Sequence, residues 1–165
     1  TLLGHVSRAN GVWTALAASA PSVLVFQGPQ AYITPGWYPG HARHGRVVPT
    51  WNYAVVHAHG TARAFDDRDR LLDLMHHLSD AAEQPQPRPW RVGDAPAGFI
   101  DEMLRAVVGI EVVIERLEGK LKASQDEALE DRHGTVRGLR ERGTDEARTM
   151  ADQVEQAIAR DTGAT

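Results

Sequence analysis

Hydrophobic and polar positions alternate along residues 47–65. Val55, His57, His59 and Thr61 fall on one side, and Ala54, Val56, Ala58 and Gly60 on the other. That two-residue period predicts a long strand. The β-branched run SVLVF at 22–26, bounded by Pro21 and Gly28, predicts a buried strand, and 31–34 predicts a second. The period then changes. Leu71, Leu72, Leu74, Met75 and Leu78 recur at helical spacing behind a cap at Asp66 or Asp67, so 66–83 is expected to be helical. Pro85, Pro87, Pro89 and Pro96 around Trp90 rule out regular structure over 84–96. Ile100, Met103, Leu104 and Val107 predict a short helix over 100–108, closed by Gly109. The stretch IEVVIERLEGKLKAS that follows predicts another strand. Two charge-rich helices are expected over 127–142 and 144–160, on either side of Gly143. In the second, Ala147, Met150, Ala151, Val154 and Ile158 form one stripe.

Strands first, with helices inserted and appended, give an α+β fold on an antiparallel sheet. At 165 residues the chain can bury one core. The expected division is a sheet-based domain over 1–126 and a helical extension over 127–165. Thr1 is not a methionine, and Leu2-Leu3-Gly4-His5 reads as the middle of an element. An upstream segment is therefore expected to be missing.

Composition removes several classes of chemistry. The chain has no cysteine, which excludes disulfides, thiolate catalysis and cysteine-ligated zinc or iron-sulfur sites, and fits a reducing cytoplasm. A net charge of -4 gives no general field to attract nucleic acid. No apolar run approaches the ~20 residues of a membrane helix. P-loop, GxGxxG and GxSxG motifs are all missing from the sequence. His57 and His59 share a strand face, as metal ligands can, but no acidic third ligand is close in sequence, so no metal site is expected.

Several segments carry candidate binding chemistry. GHVSRANGVW places Ser7, Arg8 and Asn10 around a turn, a donor set suited to a phosphate, or an ordinary surface turn with Arg8 paired to a carboxylate. ITPGWY and VPTWNY supply Thr34, Trp37, Tyr38, Thr50, Trp51, Asn52 and Tyr53. Such a set suits a planar heteroaromatic ligand, or alternatively a barrel interior or a dimer interface. In GKLKASQ, Lys120, Lys122, Ser124 and Gln125 offer cations, a hydroxyl and an amide to a phosphate or carboxylate, or a lysine-guarded strand edge. No catalytic residue is singled out.

In this order, GHVSRAN, GPQAYITPGWY, VPTWNYAVVHAHG and GKLKASQ resemble the PaiB-type FMN-binding negative transcriptional regulator family. The chain departs from the family pattern at Gly11, at Gly36 and in the string Ala123-Ser124-Gln125-Asp126. The resemblance implies an antiparallel split β-barrel with inserted and C-terminal helices, FMN as cofactor, and a homodimer with the flavin between subunits. It also implies that Ser7 and Arg8 hold the phosphate, that Thr34, Trp37, Tyr38, Thr50, Trp51 and Asn52 line the ring and ribityl chain, and that Lys120, Lys122 and Gln125 close the pocket. Regulation implies DNA as a partner, for which neither charge nor a helix-turn-helix speaks independently. The alternatives are a flavin-dependent oxidoreductase on the same fold, or a haem-binding split barrel with His57 or His59 as axial ligand.

Overall fold

The computed structural model describes residues 1–163. In chain order the elements are β1 (Leu2–Ser7), α1 (Val12–Ala15), β2 (Ala20–Ile33), α2 (Pro39–His44), β3 (Thr50–Phe65), α3 (Arg68–Glu83), α4 (Ala97–Arg105), β4 (Val107–Lys122), α5 (Leu129–Arg142) and α6 (Asp145–Thr162). Short 3-10 turns lie at Pro35–Trp37 and Val92–Asp94. The strands form one antiparallel sheet in the order β1-β4-β3-β2, so the α+β expectation holds. β1 pairs with β4 in antiparallel register, Leu2 opposite Val112 and Ser7 opposite Val107.

Three local expectations need correcting. The two strands expected at 22–26 and 31–34 are parts of the single strand β2. Gly28-Pro29 does not break it because β2 is a sheet edge, where a residue without an N–H forfeits no ladder bond on its outer side. Nor is 22–26 buried, since Val23, Val25 and Phe26 are each about half exposed. The helix expected over 100–108 runs instead from Ala97 to Arg105, and Gly109 lies within β4 opposite His5. A Cβ at Gly109 would sit 2.2 Å from the Phe65 ring, so this glycine serves close packing rather than helix termination.

The chain divides into two compact units, residues 1–24 with 58–117 and residues 25–57 with 118–165. In the first, Leu16, Ala62 and Val112 are buried, with Leu2, Leu24 and Ile110 packed against them. Helix α3 begins where Asp67 accepts a hydrogen bond from the Arg70 amide at 2.9 Å, and it buries Leu71 and Leu74. Glu111 on β4 accepts from Arg63 of β3 at 2.6 Å and from Arg70 of α3 at 2.8 Å. These two bonds, the Arg70 one first, hold the Glu111 carboxyl below the usual carboxylate range.

In the second unit, the Thr144 hydroxyl caps α6 by accepting from the Ala147 amide at 3.2 Å. Gly143, at φ 74°, closes α5 in the left-handed conformation. The α6 stripe of Ala147, Met150, Ala151, Val154 and Ile158 packs with Leu139 of α5 and with Ile33, Tyr38 and Ala123. Burying each large aliphatic side chain of this set contributes about 1.5–3 kcal/mol, so α5 and α6 are integral to this core. At Gly138 a Cβ would lie 2.1 Å from the Trp37 indole, which fixes how closely α5 and the Pro35–Trp37 turn approach.

Candidate functional site

In the first unit the Ser7, Arg8 and Asn10 side chains make close local bonds. Ser7 Oγ accepts from the Ala9 amide at 3.3 Å, and Asn10 Oδ1 accepts from the Val12 amide at 3.0 Å, starting α1. Arg8 donates from Nε to the Arg105 carbonyl at 2.8 Å and from Nη2 to the Val107 carbonyl at 3.1 Å. Its Nη1 lies 3.7 Å from Asp66. The guanidinium thereby pins the α4–β4 junction to the end of β1, a structural duty that the sequence motif does not reveal. A cavity of about 260 Å³ lies here, lined by Arg8, Asp66, Arg68, Asp101 and Arg105 among others.

The remaining candidates belong to the second unit, where they fall into two groups. Thr34, Trp37, Tyr38, Asn52 and Gln125 serve the scaffold. Thr34 Oγ1 accepts from the Gly36 amide at 3.3 Å, and the Arg142 guanidinium stacks 4.7 Å from the Trp37 ring. Gln125 bonds within its own turn, accepting from the Ala123 amide at 2.7 Å and donating to the Leu121 carbonyl at 3.0 Å. Asn52 is wholly buried and donates to Ser124 Oγ at 2.9 Å, while its Oδ1 has no partner. Ser124 holds φ at 57°, an uncommon backbone state for a side-chain-bearing residue.

Tyr38 adds a second orphaned polar atom. Its hydroxyl is buried, with the Thr135 and Ser124 hydroxyls near enough to favour the phenolate but none in hydrogen-bonding geometry. Burial, reinforced by the Glu127 carboxylate, nevertheless pushes the phenol up. Glu127 is itself pushed up, first by burial, then by Asp126 and Asp131, with Lys122 opposing.

Thr50, Trp51, Lys120 and Lys122 form the other group, on the neighbouring strands β3 and β4. Lys122 Nζ donates to Thr50 Oγ1, and Lys120 Nζ lies 5.9 Å from the Tyr53 ring. Trp51 is 53% exposed and meets Tyr32 of β2 edge-on, with ring centroids 6.0 Å apart at 68°. An open indole face on β3, and two ammonium groups with a hydroxyl bonded to one of them across β3 and β4, are the residue types that a planar, anionic ligand takes. Sequence reasoning named Tyr53 and Ser124 among the candidates but did not single out Tyr32. Tyr32 lies inside the quoted motif GPQAYITPGWY, and its contact with Trp51 of β3, like that of Ser124 with Asn52 72 residues away, cannot be read from local sequence.

The sequence profile of the family described as "Putative FMN-binding domain" matches residues 1–116. An uncharacterised protein of Emericella nidulans is 33% identical over 154 residues, covering 87% of this chain and 61% of that protein. The Bacillus subtilis protein named Protease synthase and sporulation protein PAI 2 is 27% identical over 157 residues, covering 95% of this chain and 73% of that one. The solved structure of the FAD and heme binding protein from Mycobacterium smegmatis matches with a TM-score of 0.53 at 17% identity, covering 78% of this chain and 57% of that one. This chain thus spans about three fifths of the Emericella relative and of the mycobacterial structure. The mycobacterial likeness is one of fold alone. Trp51 of β3 and Lys120 and Lys122 of β4 are of the types that an isoalloxazine ring and a phosphate take, and the chain belongs to the PaiB-type FMN-binding domain family, whose cofactor is FMN.

Proposed function

We propose that this chain binds FMN against the Trp51 face of its second unit and acts in the cytoplasm as a homodimeric negative regulator of transcription. The observation that carries the proposal is the exposed Trp51 indole on β3, braced by Tyr32, with Lys120 and Lys122 on the neighbouring strand β4. Trp51 offers the stacking surface. The two lysines and the Thr50 hydroxyl neutralise and orient the phosphate, and Asn52 with Ser124 holds the strand ends that present them. When bound, the isoalloxazine supplies a reversible redox centre.

The dimer reading is supported by apolar surface on this unit: Val25, Phe26, Tyr32, Trp51 and Val56 are all substantially exposed. Large apolar side chains left this exposed favour burial against a partner. The regulatory reading is supported by PaiB-type membership and by the Bacillus relative, whose name ties it to protease synthesis and sporulation. A mobility-shift assay with the chain's own promoter, run with oxidised and with photoreduced flavin, tests it. The expected result is a retarded band in one redox state, removed only by competitor of matching sequence. No retardation in either state, together with NAD(P)H turnover, would replace regulation by an oxidoreductase.

A further inference from the structure

We infer that the first unit carries a second ligand site, a pocket for a neutral bicyclic aromatic molecule bearing one hydroxyl or carbonyl, set between α3, α4 and the Trp90 loop. The cavity is about 330 Å³, with walls that include Met75 of α3, Phe99 and Met103 of α4, and Trp90. A cavity of about 150 Å³ takes a benzene ring, so this one has room for two fused rings.

The lining also argues for charge type. Among the described residues no Asp, Glu, Lys or Arg lines this cavity, whereas three others in the same unit are lined by Arg8, Asp66 and Arg68, by Asp80, Arg91 and Asp94, or by Arg70 and Asp73. Phosphates and carboxylates would lose their hydration here without gaining a counter-charge, so the occupant is neutral. His5 of β1 and Ser79 of α3, with the indole N–H of Trp90, are polar groups among the lining residues, enough to orient a single hydrogen-bonding substituent.

The pocket is also held open in advance. Trp90, Phe99 and Met103 stay 43%, 51% and 46% exposed. The loop bearing Trp90 is nonetheless fixed: its amide donates to Glu83 Oε2 at 3.0 Å, Arg91 N donates to Asp94 Oδ2 at 2.9 Å, and Val92 is buried beneath. An aromatic wall that is rigid and yet uncovered lowers the ordering cost of binding a ring against it.

Calorimetric titration of the flavin-loaded chain with 2-naphthol tests the site. One-to-one binding is expected with a Kd of roughly 100 μM or tighter, from ordinary per-atom efficiencies for a ligand of this size. Met103→Trp, which fills the cleft from a half-exposed position, should weaken binding at least tenfold and leave the flavin spectrum and melting temperature unchanged. 2-Methoxynaphthalene, which cannot donate, should bind more weakly than 2-naphthol, and a His5→Ala/Ser79→Ala variant should erase that difference. Absence of saturable binding up to about 1 mM, equal affinity for Met103→Trp, or displacement of the naphthol by added FMN would each overturn the assignment.

Discussion

Asn52 of β3 and Ser124, just beyond β4, join through a 2.9 Å hydrogen bond between two fully buried side chains. The bond ties the start of one strand to the end of its neighbour, next to Trp51 and Lys122. Asn52→Ala strands a buried hydroxyl and should lower stability by about 1–3 kcal/mol. Chemical denaturation would register this as a lower midpoint with an unchanged slope. Since the bond positions rather than contacts the ligand, the residual folded protein should still take up FMN.

Trp51→Ala should have the opposite profile. The indole is already half exposed, so its removal should shift the melting temperature little. Flavin affinity should fall by tenfold or more, in line with about 1–3 kcal/mol for a lost aromatic stacking partner. Fluorescence titration with FMN beside a thermal melt checks both halves.

The lysines should distinguish ligands by their phosphate. Lys120→Ala/Lys122→Ala should weaken FMN by roughly 10- to 100-fold, the scale of a lost charge-assisted contact, and leave riboflavin binding nearly unchanged. A parallel loss for riboflavin would mean that the lysines act on the ring or on the fold.

Glu111 predicts a specific acid sensitivity. Its folded pKa is lowered by Arg70 and Arg63, so the stabilisation is complete above the unfolded value of about 4.3 and disappears as pH falls through the lower folded value. Urea midpoints measured from pH 7 to pH 3 should drop more steeply for the native sequence than for Glu111→Gln, with the difference confined to the acid end.

Gly138→Ala tests the second core. A Cβ there would lie 2.1 Å from the Trp37 ring, so the helix or the indole must shift, at a cost of about 1–3 kcal/mol. Thermal denaturation should show the loss.

Much of the fold could be read directly from residue periodicity. The alternation along β3, the Asp67 cap and the α6 stripe are local signals, and they appear where expected. Expectations failed where a distant partner overrides local preference. Gly28-Pro29 reads as a break until β2 proves to be an edge, and Gly109 reads as a helix stop until Phe65 packs over it. The site was partly legible for the same reason. Motif composition marked Trp51 and the lysines, but it could not distinguish exposed Trp51 from Trp37, which is packed against α5 and stacked by Arg142, or reveal that Arg8 clasps two backbone carbonyls.

The visible spectrum of the freshly isolated chain tests the central claim most directly. The account predicts the two-banded absorption of oxidised flavin, bleached by dithionite, with FMN as the species released on denaturation. A colourless chain that takes up no added FMN, or one showing a Soret band instead, would contradict it.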